Sequence, residues 1–164
     1  GKVVNIASRC AGFLRKKFEN RMSTECAEPE LVQGFIGAGD SIAALYEVRE
    51  FNRAMREIIT LADRANQYID EKKPWVMAKD DALVHEVQAV CSVGINLFRV
   101  LATYLKPVLP AMAKKSEAFL QHSLDWTALN APLVDHQLAT FEPLLQRVDS
   151  EVVAATVEAS KSGV

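Results

Sequence analysis

The sequence predicts an all-α bundle, and three observations carry that prediction. Apolar residues recur at intervals of three and four along most of the chain, the spacing of a helix face. No stretch alternates apolar with polar as a half-buried strand would. Pro29, Pro74, Pro107 and Pro110 fall between the periodic stretches, where helices start and stop. With 164 residues, 49% of them hydrophobic and 24% charged, the chain has the length and composition of one globular domain with its own core.

A first helix is expected over about residues 3–20. Val4, Ala7, Ala11, Leu14 and Phe18 form its apolar stripe, and Asn5, Arg9, Gly12 and Lys16 form a second, polar and basic one. A second helix is expected from Pro29 to Glu47, with Leu31, Phe35, Ala38, Ile42 and Leu45 inward. A third should run from Glu50 to Lys72 with Phe51, Met55, Ile58, Ala62, Ala65 and Ile69 inward, and Pro74 stops it.

The fourth, from about Asp81 to Leu105, has two apolar faces and so reads as a central helix surrounded by others. Asn96, Arg99 and charged flanks interrupt a run already short for a membrane span, so none is expected. A fifth helix reaches about Gln121, with Leu109, Met112, Ser116 and Phe119 inward. Residues 122–142 read as an irregular connection, and a last helix is expected from Asp149 to Ser160.

The chemistry of most enzyme classes is missing. His85, His122 and His136 stand in no HExxH or ExxH context, so a bundle metal site is not expected. Cys10, Cys26 and Cys91 form no CxxC pair, which suits a reducing compartment. Gly34, Gly37 and Gly39 lack the order, preceding strand and GK[ST] of a nucleotide loop, and read as loosened or closely packed helix. Asp63, Asp70 and Glu71 read as a solvated acidic face, and no catalytic triad can be argued. Nothing resembles a signal peptide.

A binding role remains. Trp75 follows a long amphipathic stretch, two lysines and a proline. That position suits a ring presented to a flat partner such as an unstacked base, or a ring closing one end of the core. The net charge is −2, so nucleic-acid binding would need a local patch. Lys2, Arg9, Arg15, Lys16, Lys17 and Arg21, against Glu19, supply one on or beside the first helix. Asn5 and Arg9, four apart, project from one helix face and could reach neighbouring nucleotides.

Taken together, particular strings resemble a known family. Val3-Val4-Asn5-Ile6-Ala7-Ser8-Arg9 with Ala11-Gly12-Phe13 is similar to the first helix of the anticodon-binding domain of bacterial methionyl-tRNA synthetase. Ala65-Asn66-Gln67-Tyr68-Ile69-Asp70-Glu71-Lys72-Lys73-Pro74-Trp75 resembles that family's second signature. Arg49-Glu50-Phe51, Gly94 to Arg99 and Tyr104 to Pro110 continue the match in order. The core strings are shared more loosely with sister synthetases. Asn5, Arg9 and Pro74-Trp75 are the methionine-specific part.

The resemblance implies the class I anticodon-binding helical bundle: about five core helices over residues 1–140, then an extended segment and a terminal helix within 141–164 that would pack on a catalytic domain. It implies recognition of the CAU anticodon of methionine tRNA. Trp75 would stack on a base, Asn5 and Arg9 would hydrogen-bond to bases, Pro74 would fix the approach of Trp75, and Asp70 would penalise wrong RNAs. The family's His-Ile-Gly-His and Lys-Met-Ser-Lys-Ser type motifs are absent. The chain is therefore expected to be an excised piece without aminoacylation activity, with its first helix truncated at Gly1. No cofactor is expected in it. ATP, with zinc as a further candidate, would belong to the missing catalytic part. The implied partners are methionine tRNA and that catalytic domain, with no membrane and no DNA, and the implied location is cytoplasmic. The competing readings are a sister synthetase's anticodon-binding domain and a helical protein-interaction module.

Overall fold

A computed structural model describes residues 1–142. Its elements, in order, are α1 (Lys2–Phe18), α2 (Pro29–Gly37), α3 (Gly39–Glu47), α4 (Phe51–Lys72), α5 (Pro74–Met77), a 3₁₀ turn (Asp81–Leu83), α6 (Val84–Leu105), α7 (Pro110–Leu120) and a second 3₁₀ turn (Trp126–Ala128). The expected terminal helix, its packing, and the boundary to a C-terminal extension lie largely outside the described residues.

The centre is α6. Every residue from Val90 to Leu105 is buried, and α1, α2, α4, α5 and α7 all pack on it. This helix is long and apolar enough to cross a membrane, with a mean hydropathy of 1.3 over its most apolar window, but 89% of that window is covered by the rest of the protein. Small residues let its neighbours come close. A Cβ on Gly94 would lie 2.4 Å from the Cys10 sulfur of α1. The α4 face that meets the core is largely alanine: Ala54, Ala62 and Ala65, with Ile58 and Ile69.

Three expectations need correction. The helix expected over 29–47 is two, broken at Ala38. The Tyr104 hydroxyl lies 2.5 Å from the Phe35 carbonyl and 3.0 Å from that of Ile36, so it competes for acceptors an unbroken helix would use itself. Gly39 sits at this break because a Cβ there would lie 3.1 Å from the Trp126 indole nitrogen and 3.2 Å from the Tyr104 hydroxyl. Phe51 is not inward. It is 44% exposed at the first turn of α4 and leans on Tyr46, with ring centroids 6.0 Å apart. The helix that begins at residue 51 turns Ala54 inward instead, and Tyr68 is buried near its other end. Finally, Pro74 does more than stop α4. It opens α5, after Lys73 adopts a left-handed conformation (φ 52°, ψ 62°).

Residues 122–142 form the irregular connection, and buried side chains of α6 hold it. Asn96 clamps Leu133 on both sides: its Oδ1 accepts from the Leu133 N–H (2.7 Å) and its Nδ2 donates to the Leu133 carbonyl (3.0 Å). Arg99 donates to the Ala131 carbonyl at 2.7 Å. Further on, the segment lies against residues 20–23 through Met22 N–H to His136 O, Asp135 N–H to Ser23 O and Leu138 N–H to Asn20 O. His122 and His136 each donate a ring N–H to a carbonyl, of Ser123 and Leu120, while His85 is exposed. Among the described residues, no group of His, Cys, Asp and Glu could hold a metal ion.

Candidate nucleic-acid interface

Two helices running the same way build the site. Lys2 pairs with Asp63 at 2.8 Å, and one to two turns further along Arg9 meets both Asn66 and Asp70, so α1 lies alongside the second half of α4 in parallel register. Asn66 fixes that register. Its Nδ2 donates to the Lys2 carbonyl (3.2 Å) and to Ala62 of its own helix (3.1 Å), while its Oδ1 accepts from Arg9 Nη1 at 3.4 Å. Both helices end at the same pole of the bundle, and there the chain turns through Lys73 and Pro74 into α5. Pro74 is buried, and Trp75, the next residue, is 40% exposed.

Arg9 joins the parts. Its Nη2 donates to Asp70 Oδ1 at 2.6 Å, and its guanidinium carbon lies 5.3 Å from the Trp75 ring centroid. Guanidinium over indole is a favourable cation–π arrangement, worth about 0.5–1 kcal/mol where water has access. The ion pair is also weak. The Asp70 side chain is 62% exposed, and such pairs contribute roughly 0–1 kcal/mol. The cluster is thus ordered in the free protein by contacts that an incoming ligand can exchange cheaply. Lys17 ties the end of α1 to α5 by donating to the Ala78 carbonyl at 3.2 Å, which holds the short Trp75 helix in place. Lys72 sits over the Tyr68 ring at 5.9 Å.

The structure thus places four of the five predicted residues, Arg9, Asp70, Pro74 and Trp75, in one contiguous cluster. Asn5, half-buried, lies one turn before Arg9 on the same face of α1. Its carboxamide makes no hydrogen bond among the described residues, which leaves a donor and an acceptor available. The basic stripe differs from expectation in one respect: three of its six cations, Lys2, Arg9 and Arg21, are already ion-paired, with Asp63, Asp70 and Asp135. Sequence reasoning gave Asn66 no role and counted Lys17 only as one cation of the basic patch, without its contact to α5. Asn66 stands four residues before Asp70, the one signal that could have placed it on the same face.

A central apolar helix wrapped by others, with an aromatic, arginine and acid cluster where the end of α4 lies beside α1, defines an all-α bundle with an exposed binding corner. Residues 23–155 match the family described as the anticodon binding domain of methionyl tRNA ligase, and the chain belongs to that family. Asp70, Pro74 and Trp75 fall inside the matched stretch, and Asn5 and Arg9 just before it.

Solved structures agree on the fold. The methionyl-tRNA synthetase of Mycobacterium tuberculosis bound by methionyl-adenylate matches 87% of this chain with a TM-score of 0.74 at 18% identity. A further methionyl-adenylate complex from that organism gives 0.70 at 19% identity over 87% of the chain. Its apo form gives 0.67 at 17% over 85%. The chain covers only 30–32% of the length of these synthetases.

Proposed function

We propose that this chain reads the CAU anticodon of methionine tRNA for a parent enzyme that joins methionine to that tRNA using ATP. The observation that carries this reading is the Arg9–Trp75–Asp70 cluster at the α4–α5 corner. An anticodon offers unpaired bases at a loop tip, free to be splayed out and stacked. Trp75 supplies a stacking ring that any base can use. Discrimination then falls to directional groups, the free carboxamide of Asn5 and the guanidinium of Arg9, because cytosine presents an amino donor where uracil presents a carbonyl. Pro74 sets the ring's approach by fixing the backbone just before it. Asp70 orients Arg9 and sets a negative charge beside the reading face, so an RNA that brings a phosphate or a wrong acceptor there is repelled.

In this reading the chain needs no cofactor and does not aminoacylate by itself. ATP, and zinc if the parent holds it, belong to a catalytic domain of the same enzyme, and the setting is the cytoplasm.

The test is a titration of the chain with a hairpin RNA carrying a CAU loop and with a copy carrying a changed anticodon. The expected outcome is a clear preference for CAU. Trp75→Ala should weaken CAU binding by about 1–3 kcal/mol, roughly five- to 150-fold, with the melting temperature hardly changed. Equal affinity for the two hairpins, or none for either, rejects the reading. Unchanged affinity in Trp75→Ala would assign the ring to packing or to a protein partner.

A further inference from the structure

Two grooves along α4 differ in the charge of their linings, and base reading alone does not explain the second. At its C-terminal half Asp63, Asp70, Glu71, Asn66, Gln67 and Lys73 line one shallow groove. At its N-terminal half Arg53 and Arg56 line another, with Thr60 and an apolar floor of Ala38 and Leu61. The one acid in this second groove, Glu57, is occupied by the Ser41 hydroxyl, at 3.1 and 3.3 Å from its two oxygens. Among the described residues neither Arg53 nor Arg56 is in an ion pair, and both are exposed. Arg49, left-handed (φ 61°) in the turn before α4, adds a third cation at this end, with Glu47 and Glu50 exposed on either side of it.

One rigid helix links the two grooves. Arg56 lies about 21 Å along the axis from Asp70 and about 40° round it, on nearly the same face, while Arg53 lies about 26 Å along and about 100° round, on the flank. Uncharged bases can approach an acidic surface, whereas a phosphate row cannot do so without cost. A hairpin whose loop meets Trp75 carries its dense phosphate charge behind the loop, along the duplex.

We propose that Arg53 and Arg56 form a second RNA contact that takes backbone phosphates of the duplex stem, while the α4–α5 corner reads the loop; this rests on the RNA reading proposed above. The contact is sequence-blind: it fixes the distance between stem and reading corner and adds affinity through counterion release.

The test measures affinity and its salt dependence for the full chain with the CAU hairpin on a complete stem, and on a stem cut to two base pairs. In Arg53→Gln/Arg56→Gln, binding of the complete hairpin should fall about fivefold or more, and the slope of log K against log salt should lessen by about 1 to 2. Binding of the short hairpin, and the preference for CAU, should not change. Unchanged affinity and slope for the complete hairpin would overturn the proposal while the anticodon reading stands. An equal loss on both hairpins would also overturn it, by placing the arginines at the loop or in the fold. If the unaltered chain bound neither hairpin, both readings would fall together.

Discussion

At the scale of single residues, Arg9 shows how weak contacts order the proposed recognition site. It is held by one exposed carboxylate, one long hydrogen bond and one aromatic face. None of these is strong, yet together they limit the guanidinium to a small volume beside Trp75, which lowers the entropy cost of binding. Asp70 is the member whose removal separates orientation from repulsion. Asp70→Asn keeps a side chain of the same size and an oxygen for Arg9 but deletes the charge. The ratio of affinities for changed and CAU hairpins is expected to narrow, chiefly because the changed hairpin binds better. A ratio equal to that of the unaltered chain would leave Asp70 a solvated acid.

The residues that the sequence singled out are those whose partners lie nearby or whose type is unusual for its place. Trp75 stood out because an indole after Lys72-Lys73-Pro74 is out of place in a helical stripe, and Arg9 because it shares a face with Asn5. Asn66 did not stand out. Its role depends on the register of α1 against α4, a contact across 57 to 64 residues of chain that no local pattern encodes.

At the scale of elements, close approach of helices explains most of the architecture and where reading by periodicity ran out. The stripes of α1 and α4 were legible because each is long and one face of each meets the core, and α6 because it is apolar on more than one face and buried all round from Val90 to Leu105. The break between α2 and α3 was not, because its cause is the hydroxyl of Tyr104, some seventy residues later (separations of 69 and 68). The α1–α6 contact offers a test of packing. Gly94→Ala would place a Cβ 2.4 Å from the Cys10 sulfur, and both residues are buried with no room to shift cheaply. A loss of about 1–3 kcal/mol is expected, seen as a melting temperature lowered by roughly 3–10 °C. Gly94→Ala/Cys10→Ala should recover part of it.

The connection over residues 122–142 tests a different element. Asn96→Ala removes both hydrogen bonds to Leu133 and leaves its N–H and carbonyl beside a cavity, a change of about 2–3 kcal/mol. Hydrogen exchange should quicken around Ala131 to Leu133 before it does so in α6, and limited proteolysis should cut there first. Protection lost uniformly over the chain would show that the clamp is inseparable from the core.

At the scale of the whole molecule, burial of weak acids sets an alkaline limit. Burial pushes Tyr46 up to about 12, and its hydroxyl donates to the Tyr104 carbonyl at 2.8 Å. Burial also raises Tyr68 and Tyr104, and Cys91 is raised first by its hydrogen bond with Cys10 and then by burial. In the unfolded chain such thiols and phenols lose their protons near about 8.5 and 10. Between those values and the higher folded ones, the unfolded state binds fewer protons than the folded state, so stability falls as pH rises. Thermal melts should be level from neutral pH to about 8.5 and then decline, by up to about 1.4 kcal/mol per pH unit for each group still protonated only in the fold. Tyrosinate absorbance should lag until the chain unfolds. Ionisation near pH 10 without loss of helix would contradict the burial of these rings.

The parallel seating of α1 on α4 has one more consequence. Asp70 and Trp75 come from the middle of the chain and Asn5 and Arg9 from its beginning, so the proposed reading face exists only while α1 is docked. A ligand gripping both halves therefore works as a removable staple. It adds nothing covalent, yet an RNA at a hundred times its dissociation constant would deepen the folded state by about 2.7 kcal/mol. The first segment of the chain, rather than the core, would gain most of that protection.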